Sequence, residues 1–175
     1  MEALNWNLLN VAKSEIGSNR KHRGNRFLTV IQFCLDISQT FKELIRVCRP
    51  NARIIFVVGR ESMVRGTAFF NGEIVTEVAH RALGFNLALK QERVFRNRFG
   101  KNIFEDILHF FVPEDAPDEA FLEIARLVAN DVLTAAYSTG HDEARYDIKL
   151  ALEKIDQVYP SPLLDLKNVY NQKIL

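Results

Sequence analysis

Hydrophobic residues recur along residues 28–48 at steps of three and four. This spacing places eight of them on one face of a long helix: Val30, Phe33, Cys34, Ile37, Phe41, Leu44, Ile45 and Cys48. Arg46 and Arg49 lie in its last turn, where cations suit the helix dipole, and Pro50 follows. The pattern therefore predicts an amphipathic helix that ends before Pro50.

The next segment, residues 52–59, is a short and nearly continuous run of β-branched and aromatic residues that ends at Gly59. Strands that are buried on both faces have this composition, which predicts a parallel strand in the centre of a sheet. Residues 59–72 are polar and contain several glycines, and they are expected to form a loop.

A second helix is predicted from about Asn71 to Leu83, with Asn71 as its N-cap and Gly84 as its C-terminal stop. Apolar and polar residues then alternate over 85–95, which predicts a strand. A short basic turn leads into another apolar run, residues 103–112. Because the connection is short, these two strands are expected to be antiparallel neighbours.

Prolines at 113 and 117, surrounded by acidic residues, precede two further helical patterns. The chain is therefore expected to consist of an α/β part, residues 1–113, and an acidic helical extension, residues 114–175. The element order of the first part predicts an open α/β sheet of partial Rossmann-like type with an antiparallel last strand.

The net charge of +1 conceals an uneven distribution, because residues 1–113 carry 17 Lys and Arg against 10 Asp and Glu, while residues 114–175 carry 6 against 12. The basic part suits a polyanion, although solvated faces that differ in charge are the plainer explanation. The two cysteines, Cys34 and Cys48, are expected to be core residues of a protein in a reducing compartment, here the cytoplasm. No secretory signal, membrane span or zinc-type spacing is visible, so neither a membrane nor a metal is expected as a partner.

Two local strings resemble the bacterial DNA adenine-N6 and cytosine-N4 methylases. RVCRPNARIIFVVG, residues 46–59, is similar to the RVLKPGGRLVIVVG helix-to-strand passage of that family, and RVFRNRFGKNIFEDILHF, residues 93–110, is similar to its terminal hairpin. The resemblance extends over about residues 15–113. It implies a class I methyltransferase fold, in which the last strand lies antiparallel between its two predecessors, and a link with restriction–modification.

The chain departs from this family at both chemical centres. It has no strand–glycine–helix unit for S-adenosylmethionine, and no two of its five prolines are adjacent, so the Pro-Pro-Tyr type of motif is missing. The resemblance therefore implies the C-terminal portion of a methyltransferase, without catalytic residues of its own. S-adenosylmethionine would be bound only if a partner chain completes the enzyme. The expected partners are double-stranded DNA and a second chain with the missing half, or another copy of this chain.

A basic segment that follows Gly17 and contains Gly24 is the first candidate DNA contact, with Arg20, Lys21, Arg23 and Arg26 as the proposed phosphate ligands. A solvated run of charges is the alternative. The hairpin turn is the second candidate, because Arg96, Arg98 and Lys101 can bind phosphates. The resemblance places Asn97 and Phe99 beside an extruded target base. The alternative is an ordinary basic turn with Phe99 folded onto the core.

Arg60, Ser62 and Arg65 follow the predicted buried strand, at the end of the sheet where open α/β folds bind ligands. They are expected to face a cleft, or else to cap the next segment. The sequence thus suggests a DNA methyltransferase fragment or subunit that contributes DNA binding and the target-base pocket and is inactive alone. The alternative is a non-catalytic module for binding DNA or protein that derives from the same fold.

Overall fold

The computed structural model describes residues 25–115 and 120–161, apart from the side chain of Glu143. It contains helices, a three-stranded sheet and a separate two-stranded hairpin. The helices are α1 (Leu28–Val47), α2 (Asn71–Leu83), α3 (Phe121–Thr139) and α4 (Asp142–Glu153), followed by a short 3-10 turn at Ile155–Gln157. The strands are β1 (Arg53–Gly59), β2 (Glu61–Val64), β3 (Thr67–Phe70), β4 (Asn86–Arg96) and β5 (Asn102–Phe111).

The mixed α/β class is confirmed, but the predicted partial Rossmann-like sheet with a parallel central strand is not supported, because the paired strands are antiparallel. The sheet order is β1-β5-β4, and β5 pairs antiparallel with both of its neighbours. Within the part of the chain that the structure describes, β1 is therefore an edge strand. Its apolar residues occupy both faces, but only one face is covered: Ile54 is buried, whereas Ile55 is 55% exposed. The continuous apolar run suggested burial on both sides, and the exposed residues instead form an uncovered face of the sheet.

The expected loop at residues 59–72 is also wrong in part, because it contains the β2–β3 hairpin. Val64 pairs with Thr67, so a two-residue turn joins the strands. Both turn residues have positive φ, 47° at Arg65 and 79° at Gly66. This is the backbone of a type I′ turn, whose twist matches that of the strands it connects. The sequence hid the turn because an arginine occupies a position where Asn or Asp is usual.

Four phenylalanines connect α1 to the covered face of the sheet. The ring of Phe41 stacks on Phe56 of β1 with centroids 5.3 Å apart. It also meets Phe85 and Phe110 edge-on at 4.8 and 5.3 Å. Offset and edge-on contacts of this kind add roughly 0.5–1.5 kcal/mol per pair beyond the burial of area. The predicted apolar face of α1 is confirmed, since Val30, Cys34, Ile37 and Phe41 are all buried.

Helix α2 has the predicted bounds, and its C-terminal stop is confirmed. Gly84 adopts φ 73°, and its N–H is bonded to the carbonyl of His80. The predicted N-cap is wrong, because Asn71 is the first helical residue and Phe70 precedes the helix. The Asn71 amide instead donates to the Gly59 carbonyl at 2.8 Å and to Ser62 Oγ at 3.0 Å. Asn71 therefore fastens the β2–β3 hairpin to the end of β1.

Helix α3 packs across α1 and α2 on the side away from the sheet, and α4 packs on α3. Its buried residues Ala125, Val128, Ala129 and Leu133 belong to the same hydrophobic core as α1 and α2. Within the described ranges, the helices that follow residue 113 thus share the core of the α/β part. No described helix is both long and apolar enough to cross a bilayer.

Candidate nucleic-acid interface

The β4–β5 hairpin extends beyond the rest of the sheet. Strand β1 reaches only as far as the pair Gly59–Glu105, whereas β4 and β5 remain paired up to Arg96–Asn102. Among the described residues, no other strand flanks the last residue pairs of the hairpin. A projecting two-stranded ribbon of this kind has the dimensions needed to enter a groove of duplex DNA.

The turn of the hairpin is held by the side chain of Asn97. Its Oδ1 accepts hydrogen bonds from the backbone N–H groups of Phe99 and Lys101, at 2.9 and 3.0 Å. Gly100 has φ 75°, a conformation that favours glycine, and its N–H donates to the Asn97 carbonyl. Asn97, which was expected beside a target base, therefore holds the turn in place through its side-chain oxygen.

An arginine–phenylalanine pair forms the end of the hairpin. Phe99 is 77% exposed, so it is not folded onto the core. The guanidinium carbon of Arg98 lies 4.6 Å from the centre of its ring, a cation–π contact. Arg96, Arg98 and Lys101 are exposed, and none of them forms an ion pair within the described part of the chain. The three predicted phosphate ligands of the turn are thus accessible together.

A second cation–aromatic layer lies further down the hairpin, and the sequence analysis did not single it out. The guanidinium of Arg93 lies over Phe95 at 5.5 Å and pairs with Glu105. Val94, Phe95 and Phe104 are 52%, 42% and 44% exposed. Alternation of cations and aromatics along β4 was the available signal.

A buried charge cluster lies at the base of the hairpin. The Asp106 side chain is 2% exposed, with Arg60 Nε at 3.5 Å and Lys90 Nζ at 3.0 Å. Arg60 Nη2 also lies 2.8 Å from Glu92 Oε2, and its guanidinium covers the Phe104 ring at 5.1 Å. Arg60 Nε and Asp106 Oδ1 form no hydrogen bond, so charge rather than aligned bonding holds them. Arg60, expected to face a cleft, instead anchors the hairpin.

A cavity of about 330 Å³ opens at the end of β1, between α1, α2 and the β2–β3 hairpin. Its lining is mostly apolar and includes Phe33, Val58, Phe69 and Ile74. Ser62, the second expected cleft residue, lines it, but its hydroxyl is already bonded to Asn71. The cavity therefore presents apolar walls with few polar groups available to a ligand.

Arg65 and Arg26, which were predicted to contact a ligand or DNA, do not line this cavity. Arg65, the third expected cleft residue, forms an ion pair with Asp147 of α4. Arg26 is exposed just before α1. Thr29, in the first turn of α1, lines the cavity. The other three cations of the basic segment, Arg20, Lys21 and Arg23, lie outside the described residues.

His109 is part of a polar chain across the uncovered face of the sheet. Its Nδ1 lies 2.8 Å from Arg53 Nη2, and its Nε2 lies 2.9 Å from Gln91 Oε1. A guanidinium can only donate, so Nδ1 accepts, and the proton on Nε2 is donated to Gln91. The ring thus connects β1, β5 and β4 and has a structural role. The adjacent carboxylates Glu105 and Asp106 lie on opposite faces, as expected for neighbours in a strand.

The residues that the structure describes do not fit S-adenosylmethionine. Gly59 ends a strand, but the chain continues into the β2–β3 hairpin and not into a helix. Helix α2 does carry a glycine in its first turn, Gly72, yet Asp106 already lies against it, and its carboxylate would repel an anionic ligand group there. No group of three His, Cys, Asp or Glu residues able to hold a metal ion occurs among the described residues.

Comparison with known proteins identifies no relative of this chain: no family model matches it, and searches of curated proteins and of solved structures gave no match.

Proposed function

We propose that this chain is the DNA-contacting part of a DNA methyltransferase and that the β4–β5 hairpin is its contact surface. The observation that carries the proposal is the exposed Arg98–Phe99 pair at the end of a projecting, cation-rich hairpin. Cations along a ribbon can follow the phosphates, and an exposed ring can stack on an unpaired base.

The strand order supports the methyltransferase assignment. Strand β5 is last in the chain and lies between its two predecessors, β1 and β4, which are connected through α2. This is the order in which the resembling methylases finish their sheet. The strings that carry the resemblance, residues 46–59 and 93–110, fall on the α1–β1 passage and on the hairpin.

Methyl transfer to a base amino group requires that the base leave the helix stack. In the proposed complex, Phe99 stacks on the extruded base or fills the space it leaves, while Arg96, Arg98 and Lys101 bind the flanking phosphates. S-adenosylmethionine supplies the methyl group. Because the described residues do not fit that cofactor, the glycine loop and the amino-group motif would come from a second chain, and positioning of the base is this chain's contribution.

A second function is favoured by the lack of fit between the described residues and S-adenosylmethionine. A module that binds DNA without chemistry needs the hairpin and nothing else that the fold contains. It would bind duplex DNA in a salt-sensitive manner and support no methylation with any partner chain, whereas a methyltransferase part becomes active when it is completed.

Charge removal tests the contact surface. We expect the triple variant Arg96→Ala, Arg98→Ala, Lys101→Ala to bind a fluorescent duplex at least about tenfold more weakly and to reduce the salt slope by roughly 0.9 per lost phosphate contact. The matched control is the triple variant Arg46→Ala, Arg49→Ala, Lys154→Ala, which removes three exposed cations that lie outside the hairpin. Equal loss in both variants would show that only net charge matters and would overturn the proposed surface.

Stacking is tested separately with Phe99→Leu, which keeps an apolar side chain and all charges. We expect duplex affinity to change little, while affinity for a duplex with one unpaired base falls by roughly 1–3 kcal/mol. A variant that binds both DNAs as well as the parent chain would exclude stacking by Phe99.

The need for a second chain is tested by calorimetry with S-adenosylmethionine. We expect no measurable heat of binding with this chain alone. Tight binding would contradict the incomplete-enzyme proposal, whatever the outcome of the DNA experiments.

A further inference from the structure

The two edges of the three-stranded sheet differ in how they are protected. The β4 edge carries Lys90, Glu92, Arg93 and Arg96, and its pairing with β5 is interrupted by a bulge at Leu87–Leu89. Charges and bulges are the features that prevent an edge from pairing with another strand. The β1 edge has neither a bulge nor a proline, and Arg53 is its single charged residue. Its composition is that of a strand with neighbours on both sides.

The backbone groups that face outward from β1 can be identified from its pairing with β5. Arg60 N–H donates to the Phe104 carbonyl, and Val112 N–H donates to the Ala52 carbonyl. In an antiparallel pair these bonds involve every second residue, so the even-numbered residues between them also face β5. The N–H and C=O groups of Arg53, Ile55, Val57 and Gly59 therefore point to the edge that no other described strand occupies. There the Gly59 carbonyl already accepts from Asn71.

The same residues project their side chains onto the uncovered face of the sheet. Ile55 and Val57 are 55% and 47% exposed, and Phe111 and Leu89 continue the apolar surface at 46% and 45%. Large apolar side chains grouped on one open face are uncommon on a soluble monomer and usually mark a contact surface.

We propose that a second copy of this chain pairs antiparallel with β1 and joins the two sheets into one. An antiparallel pair of identical strands is self-complementary about a two-fold axis. With Phe56 on the axis, Ile55 lies opposite Val57 of the second copy, and Arg53 lies opposite Gly59 of the second copy. All of these residues have their backbone groups directed outward, so this register gives their N–H and C=O groups hydrogen-bond partners. It also places no charge against a like charge. A parallel strand from an unrelated chain is the competing occupant.

The proposed interface is independent of the DNA surface. Strands β1 and β4 are opposite edges of the sheet, so pairing through β1 leaves the β4–β5 hairpin exposed in both copies. Loss of dimerisation and loss of DNA binding can therefore be measured on different variants, and either proposal can fail alone.

Light scattering on the full chain tests the proposal. We expect a mass of twice 20.1 kDa for the parent chain. Ile55→Lys places a charge on the exposed side of the edge, and Val57→Pro removes an outward N–H donor. Each should raise the dissociation constant at least about tenfold, roughly 1.4 kcal/mol. The control is Leu127→Lys, which adds the same charge at an exposed apolar position of α3, outside the sheet, and it should remain dimeric.

Circular dichroism establishes that each variant folds, and Ile55→Lys serves as the decisive variant if Val57→Pro does not, since Ile55 is already exposed. A parent chain that is monomeric at every concentration overturns the proposal. So does a dimer that folded Ile55→Lys leaves intact, or an assembly larger than a dimer. A monomer that pairs only with a different, defined polypeptide through β1 would assign the edge to that competing occupant.

Discussion

A Cβ atom added to Gly72 would lie 2.4 Å from Oδ2 of Asp106. The first turn of α2 therefore passes directly against a carboxylate of β5, at the level where the hairpin leaves the sheet. The close approach sets the spacing between the start of α2 and strand β5. Only glycine permits this approach.

We therefore expect Gly72→Ala to destabilise the fold by about 1–3 kcal/mol, despite the better helix propensity of alanine. The methyl group must displace Asp106, which is held between Arg60 and Lys90. Gly59→Ala is the matched control, because no atom lies within 4 Å of its added Cβ. Urea unfolding measures both variants, and a Gly72→Ala midpoint equal to that of Gly59→Ala would show that the carboxylate moves freely.

Removal of the buried carboxylate of Asp106 should lower the free energy of unfolding more than removal of the exposed carboxylate of Glu43. Asp106→Ala leaves Lys90 without its acid and Arg60 with Glu92 alone at the base of the hairpin, and because both cations are partly exposed we expect a loss of roughly 2–3 kcal/mol. Glu43→Ala, whose partner Arg46 is 69% exposed, should cost less than about 1 kcal/mol. Thermal unfolding of the two variants compares them, and similar losses would mean that solvent screens the Asp106 cluster.

Substitutions at Asn97 test whether DNA binding requires an ordered turn, because they leave the cations of the turn unchanged. Asn97→Ala removes the acceptor of two backbone N–H groups, for a loss of about 1–2 kcal/mol in the hairpin. We expect weaker duplex binding although Arg96, Arg98 and Lys101 remain. Asn97→Asp keeps an accepting oxygen and should preserve the local hydrogen-exchange protection that Asn97→Ala loses. Unchanged protection in Asn97→Ala would show that the turn needs no side-chain bond.

The two cysteines should differ in reactivity. Burial raises the pKa of Cys34 to about 12 from 9.0, whereas Cys48 is half-buried. At pH 8 a thiol reagent should label Cys48 and leave Cys34 unmodified until the chain unfolds. Because the unfolded thiol ionises above pH 9.0 and the folded one does not, Cys34 should lower stability as pH rises from about 9 to 12. The same pH series on Cys34→Ala should show a smaller alkaline loss.

Local patterns in the sequence were sufficient for the helices and for the hairpin. The spacing of Val30, Cys34, Ile37 and Phe41 determined the buried face of α1, and Gly84 ended α2 as expected. The parallel strand was wrong because an apolar run shows which residues avoid water without showing whether anything covers them. Ile55 and Val57 look the same in sequence whether they are buried or exposed.

The residues of the candidate site also differ in how far local sequence predicts them. The sequence left open whether Phe99 is exposed or folded onto the core. Exposure of Arg98 followed from its place in a short hairpin connection, which is a local property. The fates of Arg60 and Arg65 did not, because their partners Asp106 and Asp147 lie 46 and 82 positions further along the chain. Ion pairs over such separations depend on packing that no local pattern encodes.

The connections between paired strands of the sheet differ greatly in length, and this difference affects the order in which the strands fold. Strands β4 and β5 are joined by the five-residue turn 97–101, whereas Arg53 meets its partner Phe111 only across the whole intervening chain. Closing the short loop costs far less entropy, so the hairpin can form before β1 docks. Substitutions in the turn should therefore act mainly on the folding rate, and substitutions in β1 mainly on the unfolding rate.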